Sequence, residues 1–181
     1  MNRGRNRDKE WHEVTDLEEA KEYIDSSYTT HFGPVTDVIN RCVGPDILDF
    51  GGGVGRNALP LLKMGHKVYI YDYPNMIILG KKYLGEDGKR VRWLEKGEAN
   101  LAHFKFNTVI ASLVFQHMAP SEVRFILKTL NADKLVVFSR GYFDRNGCVW
   151  PVILEFCTPL TYLNASLCDE THQVVEFTWK L

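Results

Sequence analysis

Ile47-Leu48-Asp49-Phe50-Gly51-Gly52-Gly53-Val54-Gly55 is the stretch around which the chain is organised. An apolar run enters it, Gly51, Gly53 and Gly55 follow at alternate positions, and Arg56-Asn57-Ala58-Leu59 reads as the start of a helix. A strand, a glycine-rich turn and a helix N-terminus together make a nucleotide-cofactor site. Side chains are removed so that the backbone can approach a ligand, and the helix end offers partial positive charge.

Two frames fit the glycines. Gly53-Val54-Gly55-Arg56-Asn57-Ala58 satisfies G-x-G-x-x-A, the dinucleotide fingerprint. Counted from Asp49, the same stretch is D-x-G-x-G-x-G, with an acid at the end of the strand before the glycines. The flanking chain has to decide between them.

On either side the chain reads as alternating helices and strands. Upstream, Thr15-Asp16-Leu17-Glu18 has the form of a capping box, with Thr15 as cap, opening a helix through Leu17, Ala20 and Ile24. A loop, Ser26 to Phe32, separates it from a second helix that starts at Pro34 and carries Val35, Val38, Ile39 and Cys42 on one face. Gly44-Pro45 ends that helix. Downstream, strands are expected at Lys67–Tyr71, Val91–Leu94, Thr108–Ser112 and Leu135–Phe138. Helices are expected from Arg56 to Gly65, over Asn75–Leu84 and Ser121–Leu130, and from Val152 to Phe156. The chain closes on two alternating segments, Thr161–Leu167 and Val175–Leu181, joined by a polar turn at Asp169–Gln173. This is the pattern of an α/β protein: a Rossmann-like, doubly wound, mostly parallel sheet of about seven strands with a C-terminal antiparallel hairpin and helices on both faces. Residues 1–44 read as a tail and short helical cap over the pocket, and residues 45–181 as one compact binding domain.

Composition narrows the function classes. With 181 residues, 45% hydrophobic and 25% charged, the chain suits one domain with a real core. A net charge of −1 does not match a polyanion binder. Arg3, Arg5, Arg7 and Lys9 form a local exception, read as a solvated tail. Cys42, Cys148, Cys157 and Cys168 lack metal-ligand spacing and read as small buried hydrophobes in a reducing compartment, so no metal site is expected. No apolar run is long enough to span a membrane and no signal peptide is evident, which points to a cytoplasmic location.

Four motifs in order give the glycine turn its context. The run from Ile47 to Ala58 is followed by Val68-Tyr69-Ile70-Tyr71-Asp72 with Pro74-Asn75-Met76, then by Gly97-Glu98-Ala99, then by Phe115-Gln116-His117-Met118. Across roughly Ile47 to Arg140 the chain resembles the class I S-adenosylmethionine-dependent methyltransferases of the small-molecule type. It departs from their pattern at Glu98, where the family usually carries Asp.

The resemblance implies S-adenosyl-L-methionine as cofactor, S-adenosyl-L-homocysteine as product, and a role for each motif residue. Asp49 would bind the ligand's ammonium, and Gly51, Gly52, Gly53 and Gly55 would bring backbone and helix end to its carboxylate. Asp72 would accept from both ribose hydroxyls. Tyr73 and Met76 would cover the adenine, Glu98 beside Ala99 would accept from its exocyclic amine, and Ser112 and Leu113 would close the pocket beside the methyl group. His117 is the candidate catalytic base, needed only if the acceptor must lose a proton.

The acceptor is read by exclusion. Ser112-Leu113-Val114-Phe115 is not the Asn/Asp-Pro-Pro-aromatic run of amino-directed DNA methyltransferases, and no Pro-Cys nucleophile follows the fourth strand. A small-molecule O or N acceptor is therefore expected. DNA is disfavoured, RNA stays open through the tail arginines, and no membrane partner is expected. The acceptor wall, assigned to the first two helices and Gly141–Cys157 with Tyr142, Phe143, Trp150 and Phe156, is short. That allows a second subunit of a homodimer as lid. Two other classes stay open: a non-catalytic protein that keeps the adenosyl pocket, and an NAD-binding oxidoreductase, against which Asp49 and the lack of a separate substrate domain count.

Overall fold

The computed structural model describes residues 11–20, 38–140, 149–167 and 170–180. Seven strands alternate with helices through the middle of the chain: β1 (Asp46–Phe50), α1 (Ala58–Lys63), β2 (Lys67–Asp72), α2 (Pro74–Leu84), β3 (Arg92–Glu95), β4 (Phe106–Ser112), α3 (Pro120–Thr129), β5 (Ala132–Arg140), α4 (Val149–Phe156), β6 (Cys157–Leu167) and β7 (Glu170–Trp179). They form one sheet in the order β3-β2-β1-β4-β5-β7-β6. The pairs from β3 across to β5 are parallel. β7 lies antiparallel to β5, and β6 antiparallel to β7.

The central strands are buried on both faces, so they read as continuous apolar runs. Successive side chains point to opposite faces, and β1 shows the consequence. Leu48 and Phe50 join one core with Val109, Ala111, Val123 and Leu127, under α3 and α4. Ile47 joins the other with Ala58, Leu61, Leu62, Val68 and Ile70, under α1 and α2. Cys42 and Cys157 are free, buried thiols, and burial pushes both up to about 12. That agrees with their reading as small hydrophobes.

Several boundaries differ from expectation for identifiable reasons. Asp16, not Thr15, is the helix cap: its Oδ1 accepts from the backbone N–H groups of Glu18 and Glu19 at 2.7 and 3.1 Å. α1 begins at Ala58, two residues after Arg56, because Gly51 to Asn57 are taken up by the turn. Pro60 thus falls in the first helical turn, where no intrahelical donor is required. The polar turn expected at Asp169–Gln173 is already strand from Glu170 onward, with Thr171 opposite Ser166 and Gln173 opposite Asn164. Pairing of backbone groups does not need apolar residues, so composition placed the turn too late. Pro159 sits in β6 at the open edge, where a missing donor removes no ladder bond, and a bulge follows between Pro159 and Thr161.

Residues 17–20 and 38–40 are helical, as expected for parts of the two N-terminal helices. The tail arginines, Tyr28, His31, Tyr142, Phe143, Cys148 and Cys168 lie outside the described residues. None of the described helices is long and apolar enough to cross a membrane.

Candidate functional site

Between β1 and β4 the chain reverses direction of growth: β2 and β3 are laid down on one side of β1, then β4 and β5 on the other. Ligand crevices of open α/β sheets form at this switch point, outside the carboxyl ends of the strands. Here the crevice is a cavity of about 620 Å³, within the range that holds a cofactor-sized ligand.

Asp49 forms its floor. The side chain is completely buried, and Asn57 Nδ2 donates to both carboxylate oxygens, at 3.2 and 3.1 Å. Burial raises the carboxyl to about 7, Asn57 and the Arg56 charge act against the rise, and the Asp72 charge adds to it. Asn57 stands at the N-cap of α1 and makes no side-chain bond to the helix, while its amide N–H groups go to Asp49. A carboxyl so poorly solvated gains strongly from a cation placed beside it.

The glycine turn is shaped by close approach. A β-carbon on Gly51, whose φ is +67°, would fall 1.9 Å from Val114 Cγ2, on the loop after β4. One on Gly52 would fall 2.7 Å from Asp49 Oδ2. Gly53 and Gly52 line the cavity, while Gly55 does not. A β-carbon there would meet Leu84 at 2.8 Å and Ile70 at 3.1 Å, so Gly55 permits helix-on-strand packing instead of the ligand contact expected of it.

Asp72, at the end of β2, closes the turn from the other side. Its Oδ2 accepts from Gly53 N–H and its Oδ1 from Tyr73 N–H, both at 2.7 Å. Burial raises this carboxyl, against those two bonds and the Lys96 charge. Each oxygen keeps acceptor capacity facing the cavity.

Beyond Asp72 the wall differs from expectation. Tyr73 and Met76 line the cavity, together with Lys96 and Gly97 from the turn after β3. Glu98 and Ala99 are not on the wall. Glu98 is exposed, and Ala99 packs partly buried against the core beneath the sheet edge. The turn bonds from Glu98 N–H and Ala99 N–H to Glu95 O carry both residues past the opening.

The fourth motif completes the enclosure. Ser112, Leu113, Val114, His117 and Met118 line the cavity, as do Ser121, Glu122, Phe125 and Ile126 of α3. Leu113 is buried at φ +59°, a left-handed conformation that is strained for a non-glycine residue and clusters at functional sites. His117 is exposed at the wall, with its Nε2 3.1 Å from the Gln116 amide nitrogen. On the α2 side, Val14 and Ala20 pack with Val54, Met76 and Leu79, Asn75 Nδ2 donates to Val14 O at 2.7 Å, and Ala20 reaches the cavity. Residues 11–20 thus flank the opening.

Reading from sequence missed Asn57, Lys96, Glu122 and Phe125. Lys96 had a signal, since it directly precedes the Gly97-Glu98-Ala99 match. Asn57 had one too, since it lies within the run from Ile47 to Ala58, whereas Glu122 and Phe125 become neighbours of the cavity only through tertiary packing. Among the described residues, no group of three or more His, Cys, Asp or Glu side chains is arranged to hold a metal ion.

Comparison with solved structures places this geometry in a known fold. N-methyltransferase NodS from Bradyrhizobium japonicum WM9, in complex with S-adenosylhomocysteine, superposes with a TM-score of 0.66 at 13% identity, covering 93% of this chain and 100% of that one. Magnesium protoporphyrin IX methyltransferase (ChlM) from Synechocystis PCC 6803, with bound S-adenosylmethionine, matches with a TM-score of 0.61 at 17% identity, over 91% and 84% of the two chains. The PH0226 protein from Pyrococcus horikoshii OT3 matches with a TM-score of 0.67 at 15% identity, over 92% and 94%. No protein-family model and no curated relative matches the sequence. The chain has the Rossmann-like fold of the class I S-adenosylmethionine-dependent methyltransferases, with the mixed seven-stranded sheet and C-terminal hairpin.

Proposed function

We propose that the protein is an S-adenosylmethionine-dependent methyltransferase acting on a small-molecule O or N acceptor. The observation that carries this reading is the alignment of Asp49, the glycine turn and Asp72 along one cavity, at the ends of adjacent strands. That spacing suits an amino acid, a ribose and a base in series. The cradle passes a test of fit. Asp49 is buried and poorly solvated, so an ammonium is its natural partner, and Asp72 retains acceptor capacity for two hydroxyls. The bare backbone at Gly52 and Gly53 leaves room for a carboxylate near the start of α1.

When bound, S-adenosylmethionine supplies a methyl group on a positively charged sulfonium, already a good leaving group. The protein's part is then alignment of donor and acceptor for an in-line displacement. Ser112, strained Leu113 and Val114 form the rim where the acceptor enters, and His117 is the wall group placed to take a proton from an acceptor that must lose one. Magnesium protoporphyrin methyltransferase and glycopeptide N-methyltransferase, both of similar fold, are named for small-molecule and glycopeptide acceptors, which supports the same class here.

Thermal shift and calorimetry with S-adenosylhomocysteine, S-adenosylmethionine and NAD test the cofactor. Stabilisation by the two adenosyl ligands and not by NAD is expected, and stabilisation by NAD alone overturns the reading. Turnover is tested by release of S-adenosylhomocysteine across a panel of small amines, phenols and carboxylates. Binding with no release from any acceptor would favour a non-catalytic adenosyl-binding protein.

A further inference from the structure

The cavity wall carries a lysine and a glutamate that none of the four motifs includes. Lys96 N–H donates to Asp72 O at 2.8 Å, which seats Lys96 directly beyond the ribose position. Its Nζ donates to Tyr73 Oη at 2.8 Å and lies 4.2 Å from the centre of the Tyr73 ring. The Lys96 head group is therefore held in place on the wall. Across the opening, Glu122 stands in the first turn of α3, its Oε2 accepting from Ala119 N–H at 2.9 Å, and it lines the same cavity. Burial works to lower the Lys96 pKa, but the Tyr73 hydroxyl and the fields of Tyr73 and Glu122 outweigh it and the net shift is upward. The two side chains thus feel one another, one offering only donors and the other a carboxylate.

If the adenosyl ligand fills the cavity with its ribose at Asp72, its base extends past β2 toward β3. There it meets Lys96 and Gly97 on one side and the first turns of α3 on the other. An adenine offers a ring-nitrogen acceptor next to an exocyclic amine donor. A lysine on one wall and a carboxylate on the facing wall complement that pattern. A 6-oxopurine places an acceptor where the amine stood and leaves the carboxylate without a partner.

We propose that Lys96 and Glu122 read the purine edge of the ligand, Lys96 donating to a ring nitrogen and Glu122 accepting from the exocyclic amine, so that the site selects 6-aminopurines. This assignment rests on the adenosyl reading of the cavity. It replaces Glu98, which is exposed and off the wall, as the acidic group that meets the base. Phe125, 66% exposed on α3 and one turn beyond Glu122, provides an apolar surface beside the edge being read.

The test is calorimetric titration of the full-length protein with S-adenosylhomocysteine and with S-inosylhomocysteine, its 6-oxo counterpart. The wild type is expected to prefer the adenosyl ligand by more than roughly thirtyfold, since a site built to pair a hydrogen-bonding group rejects the analogue that cannot. Lys96→Met should weaken S-adenosylhomocysteine binding by roughly tenfold. Glu122→Gln should bring the two ligands within roughly threefold of each other, because an amide can donate to the 6-oxo group while its oxygen still caps Ala119 N–H. If Lys96→Met lowers the melting temperature by more than a few degrees, Lys96→Gln takes its place, and the Glu122→Gln preference is read independently of either. Equal wild-type affinity for the two ligands overturns the proposal while leaving the adenosyl reading intact, as does an unchanged preference in Glu122→Gln. If neither ligand binds the wild type, the adenosyl reading itself fails and the assignment falls with it.

Discussion

Asn57 holds both oxygens of Asp49 with a single amide nitrogen, across a spacing of eight residues that carries the chain from the strand end into the first helix. The pair ties the floor of the cavity to the N-terminus of α1, so the charge state of Asp49 and the geometry of the turn are coupled.

Replacing Asn57 with Ala leaves a fully buried carboxyl without that donor. The loss is expected to cost about 1–3 kcal/mol of stability, the range for an unsatisfied buried polar group. It should also move the Asp49 titration to higher pH, because the hydrogen bond that favours the charged form is gone. Urea denaturation at pH 7 checks the first effect, and the pH dependence of ligand affinity checks the second. Wild-type stability in Asn57→Ala would show that the amide contributes nothing.

Asp49 also sets a pH dependence of stability. Its folded pKa stands at about 7 against an ordinary 3.8, so between those values the folded state retains a proton that the unfolded chain has lost. The sign follows: the ligand-free protein loses stability as pH rises through that window, by on the order of 4 kcal/mol across the full shift. Melting temperatures from pH 4.5 to 8 should show a decline that Asp49→Asn makes shallower, the remainder coming from Asp72, whose carboxyl burial also raises. An ammonium bound beside Asp49 favours the carboxylate, so S-adenosylhomocysteine binding at about pH 6 should release a fraction of a proton, measured by calorimetry in buffers of different ionisation enthalpy. Zero release would count against an ammonium at Asp49.

Gly51, Gly52 and Gly53, three of the four glycines of the turn, should rank by what a β-carbon meets. Gly51→Ala combines a left-handed φ with a 1.9 Å approach to Val114 and should be the most destabilising, at roughly 3 kcal/mol or more. Gly52→Ala displaces Asp49 Oδ2 and should lose ligand affinity out of proportion to stability. Gly53→Ala has φ +58° but only Met76 Cε at 3.7 Å, so backbone strain of about 1 kcal/mol is its main cost. Denaturation midpoints with matched thermal shifts give the order, and a different order would mean that the turn relaxes around added side chains.

Asp72→Ala removes the bonds from Gly53 N–H and Tyr73 N–H and, on the proposed reading, the acceptor for two ligand hydroxyls. The thermal shift with S-adenosylhomocysteine should vanish, together with a stability loss of about 1–3 kcal/mol for the stranded backbone donors. A shift of wild-type size in this variant would move the ribose elsewhere in the cavity.

Much of this architecture was legible because it is written in local pattern. The continuous apolar runs at β1 and β5, the punctuation by Gly65 and Gly85, and Asp49 and Asp72 at successive strand ends all follow from short-range constraints. Boundaries were less legible where local chemistry permits two solutions, as with Thr15 against Asp16, or where a polar segment can still pair its backbone, as from Glu170 onward.

By itself, then, the sequence determined the order of the elements and the mostly parallel character of the sheet. Hydrophobic period, glycine conformation and capping act over a few residues and need no partner from elsewhere in the chain. Tertiary structure decided which of the marked residues face the cavity. Gly55 turns to Leu84 and Ile70, Glu98 is carried past the opening, and Lys96 and Glu122 take places on the wall. Those outcomes depend on how β3, α2 and α3 meet across the sheet, and contacts between segments far apart in the chain leave no period in the sequence to read.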